Sequence, residues 1–349
     1  MEDYCNFLGQ ALRRRGVQLK TAPVEWMGLG WARALWKLRR ESIEWRGAWV
    51  LVQYTALGWS RRGFPFGVLL ALAILRSRGG RCAVVFHEPF VLEGSRWIDM
   101  IRNACQNWIV RQLHRRSEKS IMTAPLKTID WLPRGDRKAV FVPIGANIPD
   151  CPPRNDPESA RDGRRMTVAV FCVDPPPYRE HELDDIAHAV LPAARNGTPL
   201  RIVFLGKGSL EARGEIERTF RETGVELSIL GIVDPEQIRR SLMESDALLS
   251  VRGTVYPQRG SAIAGVACGI PVVGYTDGRD IYPLSEAGLQ VAPRGDQAAL
   301  AEALTAVLQN YGLRKELCVR SQRAYEIFFS WEVIAQKLHQ ALAESGTKE

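Results

Sequence analysis

The sequence contains no C-x-x-C pair, and its seven cysteines (Cys5, Cys82, Cys105, Cys151, Cys172, Cys268, Cys318) are odd in number and scattered. That argues against a disulfide framework and against a cysteine zinc site. The cysteines read instead as thiols of a reducing compartment. Long hydrophobic runs are missing too: the longest clean one, Val68 to Leu75, is far short of the ~20 residues that cross a bilayer as a helix. No opening stretch follows the charged, apolar, small-residue order of a signal peptide. The expectation is a soluble, cytoplasmic chain. There is no internal repeat and no Asp-x-Asp pair. Basic residues are not interleaved with a recognisable nucleic-acid module, so no nucleic acid is expected as partner.

What is present is enough apolar matter for two cores, 46% of 349 residues. Charge is divided unequally. Residues 1–150 hold 24 Lys and Arg against 12 Asp and Glu, whereas residues 151–349 hold 23 against 27. The basic half suggests an anionic partner such as a phospholipid surface or a lipid-phosphate acceptor; an ordinary solvated surface is the plain alternative.

Helix-period segments alternate with short aliphatic runs, the pattern of α/β layers with parallel sheets. The predicted strands of the first half are Ala48 to Tyr54, Cys82 to Phe86, Ser120 to Thr123 and Ala139 to Val142, with helices over Phe66 to Ser77 and Trp97 to Glu118. Residues 149–165, rich in proline and charge, read as a linker between domains at 1–148 and 166–320. Strands of the second domain are predicted at Thr167 to Val173, Arg201 to Leu205, Glu226 to Leu230, Ala247 to Val251 and Pro271 to Tyr275. A helical tail follows, with breaks near Tyr311-Gly312 and Phe329-Ser330-Trp331, and its end, residues 321–349, is expected to pack back on the first domain. The chain opens on a helix, Tyr4 to Arg15, where a doubly wound domain normally opens on a strand and a glycine-rich turn. A first strand is therefore expected to be missing. Six of the ten tryptophans lie between Trp26 and Trp59, and the segment Trp26 to Arg40 reads as one aromatic helix with a basic end, suited to a core or to a membrane interface.

Two segments carry candidate chemistry. In Val203-Phe-Leu-Gly-Lys-Gly-Ser209 a strand runs into glycines and a helix. Gly206 and Gly208 could let backbone N–H groups approach a phosphate that Lys207 neutralises, and a plain strand-to-helix turn fits as well. In Arg259-Gly-Ser-Ala-Ile-Ala-Gly-Val-Ala-Cys-Gly-Ile-Pro-Val-Val273 the small residues allow a short helix to lie close to the sheet. Its N-terminus at Gly260 and Ser261 would then offer free N–H groups beside Arg259, a cradle for a diphosphate.

The run from Gly206 through Val273, which includes Gly231-Ile-Val-Asp-Pro-Glu236 and Ser245-Asp-Ala-Leu-Leu-Ser250, resembles the donor domain of glycosyltransferase family 4, of the GT-B fold. The segments Gln53 to Pro65, Val85-Phe-His-Glu88 and Phe329-Ser-Trp-Glu-x-Ile-Ala335 are similar to other parts of the same family. The resemblance implies two Rossmann-like domains facing across a cleft and transfer of a sugar, with retention, from a nucleotide-sugar to a glycan or lipid-linked acceptor. It places His87 near the reacting carbon as the catalytic candidate. Arg179, Gly206, Lys207, Gly208, Arg259, Gly260, Ser261 and Glu286 fall on the donor side, and Arg61, Arg62 and Glu88 on the acceptor side. The two glutamates usual in the family fall at Tyr256 and Ala264, so an R-G-S-x-x-A core stands in their place.

Without an Asp-x-Asp pair, helix N-termini and basic side chains are left to stabilise the departing diphosphate, so no metal and no cofactor is expected. Two other readings share the fold. One is a sugar-nucleotide epimerase or hydrolase; the other is a non-catalytic nucleotide-sugar-binding partner in polysaccharide synthesis, to which the absent glutamates point. A peripheral place at the inner membrane face follows from the basic first half.

Overall fold

The computed structural model describes residues 2–90, 96–153 and 165–344. The chain divides into two compact units, Met1–Ile144 with Ile334–Glu349, and Gly145–Val333. The boundary precedes the proline-rich stretch because residues just after Ile144 are already tied to the second unit. The Trp331 indole donates to the Ala146 carbonyl at 2.7 Å and the Tyr325 hydroxyl to Asp150 at 2.8 Å. Gly145 has no Cβ because the Trp331 ring occupies that place, 2.6 Å from where one would lie. Most of the expected linker, residues 154–164, lies outside the described residues.

The first unit opens with α1 (Glu2–Arg14), α2 (Trp26–Leu29) and α3 (Trp31–Glu41), and then alternates: β1 (Trp49–Tyr54), α4 (Ala56–Trp59), α5 (Gly67–Ser77), β2 (Arg81–Phe86), α6 (Trp97–Arg116), β3 (Lys119–Met122) and β4 (Ala139–Phe141). All pairings are parallel and the order is β1-β2-β3-β4. Parallel strands buried on both faces read as unbroken apolar runs, and Cys82 to Phe86 of β2 is buried throughout. Tyr54, Leu72, Phe86, Ile109 and Leu113 fill the core between sheet and helices. Helix α1 buries Tyr4, Leu8, Ala11 and Leu12, and Arg15 donates to Gln336 at 3.1 Å.

One expected element is corrected. The segment Trp26 to Arg40 is two helices, because Gly30 adopts φ +76°, outside the helical region. The break folds Trp26 onto Trp31 at 5.1 Å and Trp31 towards Trp59 at 6.2 Å. Gly67 leaves the room the Trp31 ring occupies.

The second unit contains β5 (Met166–Phe171), α7 (Arg179–Arg195), β6 (Leu200–Leu205), α8 (Arg213–Thr219), β7 (Glu226–Gly231), α9 (Pro235–Met243), β8 (Ala247–Thr254), α10 (Gly260–Ala267), β9 (Val272–Thr276), β10 (Leu289–Pro293), α11 (Gln297–Gln309) and α12 (Tyr311–Ala324); α13 (Trp331–Ala343) follows. Its parallel sheet runs β10-β9-β8-β5-β6-β7. Side-chain caps fix several helix starts. Asp234 accepts from Gln237 N–H ahead of Pro235, Asp296 from Ala299 N–H, and Asn310 from Leu313 N–H, which sets the break before Tyr311. A π-turn over Tyr325–Phe329 marks the second break.

Gly288 joins β10 to the helices behind it. Its carbonyl accepts from Val272 N–H, its N–H donates to the Ser321 hydroxyl, and a Cβ there would lie 2.0 Å from the Leu317 carbonyl oxygen. A Gly288→Ala variant is therefore expected to lose about 2 kcal/mol of stability through backbone displacement. Urea unfolding measures this, and an unchanged midpoint would refute it.

Candidate functional site

In the second unit β5 leads to β6 and β7 on one side, and β8 begins the return on the other. Connections of one hand then place their helices on opposite faces, and a crevice opens outside the carboxyl ends of β5 and β8. Three segments converge there: the loop after β5, the end of β8, and the start of α10.

Helix α10 buries Ala262 through Ala267, and it lies close to the sheet because Gly265 faces Leu248, 2.9 Å from the place of a Cβ. Arg259 makes no side-chain cap hydrogen bond at the helix N-terminus, where, among the described residues, a Cβ on Gly260 would meet open space. Its first N–H groups have no intrahelical acceptor. Arg259, at the N-cap, donates from Nη2 to the Arg252 carbonyl and lies 5.7 Å from the Tyr256 ring centroid. Arg252, at the end of β8, pairs with Asp174 at 2.5 Å. Thus an uncapped helix end is flanked by two partly exposed guanidinium groups, an arrangement that attracts a diphosphate.

The loop carrying Asp174 is held from behind. Its N–H donates to Oε2 of Glu182 at 2.6 Å and its carbonyl accepts from Arg179 Nε at 3.1 Å. Arg179 also pairs with Glu215 at 3.0 Å. Glu182 is 6% exposed and its Oε1 has no hydrogen-bond partner among the described residues. Burial pushes its carboxyl up to about 7, against the pull of the Asp174 N–H and of Arg252 and Arg259. Asp174, Glu182 and Arg252 were not among the residues expected from sequence. The available signal for Glu182 was its place on the apolar stripe of α7, one turn before Ile186.

The glycine turn after β6 packs against the loop that follows β5. Gly206 N–H donates to the Gly231 carbonyl, and the Lys207 carbonyl accepts from Val173 N–H. A Cβ on Gly208 would lie 2.0 Å from the Val173 carbonyl oxygen. These glycines let the turn lie against the β5 loop, with Lys207 exposed. Glu286 is apart from the donor set. It ends a 3₁₀ turn two residues before Gly288, whose carbonyl meets the first residue of β9, at the amino edge of the strands.

In the first unit His87 directly follows β2. Its Nε2 is 2.7 Å from Gln53 Oε1, and the Tyr4 ring meets it edge-on at 4.8 Å. Burial pushes the imidazole down to about 4, so it is neutral near pH 7. With the proton on Nε2 it donates to Gln53, and Nδ1 is left as an acceptor. Glu88 is exposed. Arg61 and Arg62 are exposed on a loop that α6 holds by its backbone, through Arg102 to the Arg62 carbonyl and Gln106 to the Gly63 carbonyl. Among the described residues no group of three His, Cys, Asp or Glu side chains is placed to hold a metal ion. No described helix is long and apolar enough to cross a membrane.

Residues 168–310 match the family model of the glycosyl transferases group 1. No curated protein matches the chain by sequence. Among solved structures, HepE of Anabaena in complex with UDP-glucose is similar with a TM-score of 0.63 at 13% identity, covering 98% of this chain and 95% of that one. Sucrose-phosphate synthase of Thermosynechococcus elongatus gives 0.65 at 14%, covering 98% and 92%. A Listeria monocytogenes protein described as a UDP-N-acetylglucosamine 2-epimerase gives 0.63 at 12%, covering 100% and 95%. The α/β architecture with two parallel sheets matches that of GT-B glycosyltransferase structures.

Glu182 supplies a pH test. Its carboxyl sits near 7 in the fold and near 4.5 unfolded, so between these values the native state binds more protons and stability falls as pH rises. Glu182→Gln keeps an acceptor for the Asp174 N–H and removes the titration. The stability difference between variant and parent should shift in the variant's favour from pH 4.5 to 7, by on the order of 2 kcal/mol. A flat difference across that range would show that the carboxyl titrates no differently in the fold than in the unfolded chain.

Proposed function

We propose that the chain is a nucleotide-sugar-dependent glycosyltransferase whose donor diphosphate binds at the switch point between β5 and β8. The observation that carries this reading is the uncapped N-terminus of α10 with Arg252 and Arg259 beside it, inside the segment that matches the glycosyl transferases group 1. Negative charge that develops on the departing diphosphate would be met by N–H dipoles and guanidinium groups fixed before reaction, which is where such groups contribute most. Asp174 orients Arg252, and Glu182 and Arg179 fix the loop that carries Asp174.

The finer reading is retention of configuration without a metal, in the cytoplasm, with a glycan or lipid-linked acceptor. His87, neutral and held by Gln53, is suited to accept or share a hydrogen bond with a sugar hydroxyl rather than to act as a charged acid. A second reading, a nucleotide-sugar-binding partner without turnover, is favoured by the side chains at the positions where the family resemblance expects glutamates. Tyr256 is exposed beside Arg259, and Ala264 is buried within α10.

Thermal stabilisation by UDP, GDP, ADP and their common sugars, with and without EDTA, tests the reading. One nucleotide series is expected to raise the melting temperature in the presence of EDTA, and Arg259→Ala to weaken that affinity by roughly tenfold or more. Sugar release or transfer with the same donor separates enzyme from binder. No response to any nucleotide by the folded chain would overturn the donor site itself.

A further inference from the structure

Helix α5 packs between α3 and α6, and the strand order β1-β2-β3 places the two crossovers that contain α5 and α6 on one face of the sheet. The outward side of this helix layer is not the polar surface expected of a solvated one. On α6, Trp97, Ile101, Ala104 and Trp108 recur at helical spacing and are all exposed, with Met100 alongside. Phe66, just before α5, reaches Trp108 with ring centroids 6.3 Å apart, and Leu70 continues the face. On α3 Trp36 is 64% exposed, with the Arg40 guanidinium 5.8 Å from its ring. Every one of these large side chains is about half exposed or more, whereas soluble surfaces carry such residues singly.

The surroundings of this face are basic. The α6 stripe runs on into exposed Arg111 and Arg115, Arg96 precedes it, Arg61 and Arg62 lie on the loop that α6 holds, and Arg33 is exposed on α3. Helices α5 and α6 carry one acidic residue, Asp99, and Arg102 neutralises it at 2.6 Å. Charge decides among occupants. A second copy would bring the same excess of positive charge against itself, whereas anionic headgroups would meet arginines while tryptophan and aliphatic side chains enter the acyl boundary.

We propose that the outward face of α3, α5 and α6 is a docking surface for an anionic phospholipid bilayer. It goes beyond the donor-site reading, and vesicle binding requires no nucleotide, so failure of one is distinguishable from failure of the other.

Co-sedimentation with vesicles of phosphatidylcholine alone, and of phosphatidylcholine mixed with phosphatidylglycerol, tests it on the full chain. Binding is expected to the mixed vesicles, to weaken with added salt, and to shift tryptophan emission to the blue. A Trp97→Ser/Trp108→Ser variant and an Arg111→Glu/Arg115→Glu variant should each lower partitioning by roughly tenfold or more, with melting curves unchanged because these side chains are exposed. Should the tryptophan variant melt early, Met100→Ser/Ile101→Ser takes its place, with the same expectation. A chain that stays in solution with anionic vesicles, or variants that bind as the parent does, would overturn the proposal. So would a concentration-dependent dimer that the tryptophan variant dissolves, for the occupant would then be a second copy.

Discussion

A parallel strand can be followed only by a crossover, and crossovers that run in opposite directions along a sheet place their helices on opposite faces. In the second unit the strand order reverses at β5, with β6 on one side and β8, reached from β7, on the other. The crevice beyond its carboxyl end exists because no helix can cover it, so the backbone there must be organised by local means. Glu182 accepts from the Asp174 amide, Asp174 pairs with Arg252, and the Arg252 carbonyl accepts from Arg259 at the head of α10. Removing water from that first carboxyl gives it a proton affinity near neutrality. Both arginines are thus linked to that buried carboxyl through a continuous chain of contacts.

Fully buried strands were the most legible part of the sequence. Val168 to Val170, Ile202 to Leu205 and Ala247 to Ser250 are all apolar or small, and their ends lie within a few residues of those expected. β10 was not legible, because Leu289-Gln-Val-Ala-Pro293 is half exposed and its short alternation does not stand out from a loop. Gly30 hid the break between α2 and α3, since a glycine within a helical pattern is tolerated as often as it ends one. Glu182 hid in a polar first turn, Arg-Glu-His-Glu, where acidic residues are ordinary.

The glycine turns show why a motif underdetermines its chemistry. Gly206-Lys-Gly208 and Arg259-Gly-Ser261 both follow strands of one sheet and both read as phosphate cradles. Only geometry separates them. At Gly206 and Gly208 the space of the absent Cβ is taken by Phe171 to Val173, and the Gly206 N–H is bound by the Gly231 carbonyl. At Gly260 that space is open and the helix behind it is uncapped. The same residue type serves close packing in one place and access in the other, a difference set by neighbours far away in the chain.

The uneven charge visible in the sequence acquires a direction from the fold. An excess of basic residues by itself is compatible with a solvated surface, and tryptophans grouped early in the chain are compatible with a core. Trp26, Trp31 and Trp59 stack upon one another, so part of that aromatic group is indeed internal packing. Trp36, Trp97 and Trp108 point outward, and the first two are each more than 60% exposed. Exposing such side chains forfeits ~2 kcal/mol of burial for each, which a surface without a partner has no means of recovering. Arginines at their margin give the missing partner a sign, because they too would be desolvated by an apolar protein face but stabilised by phosphate headgroups.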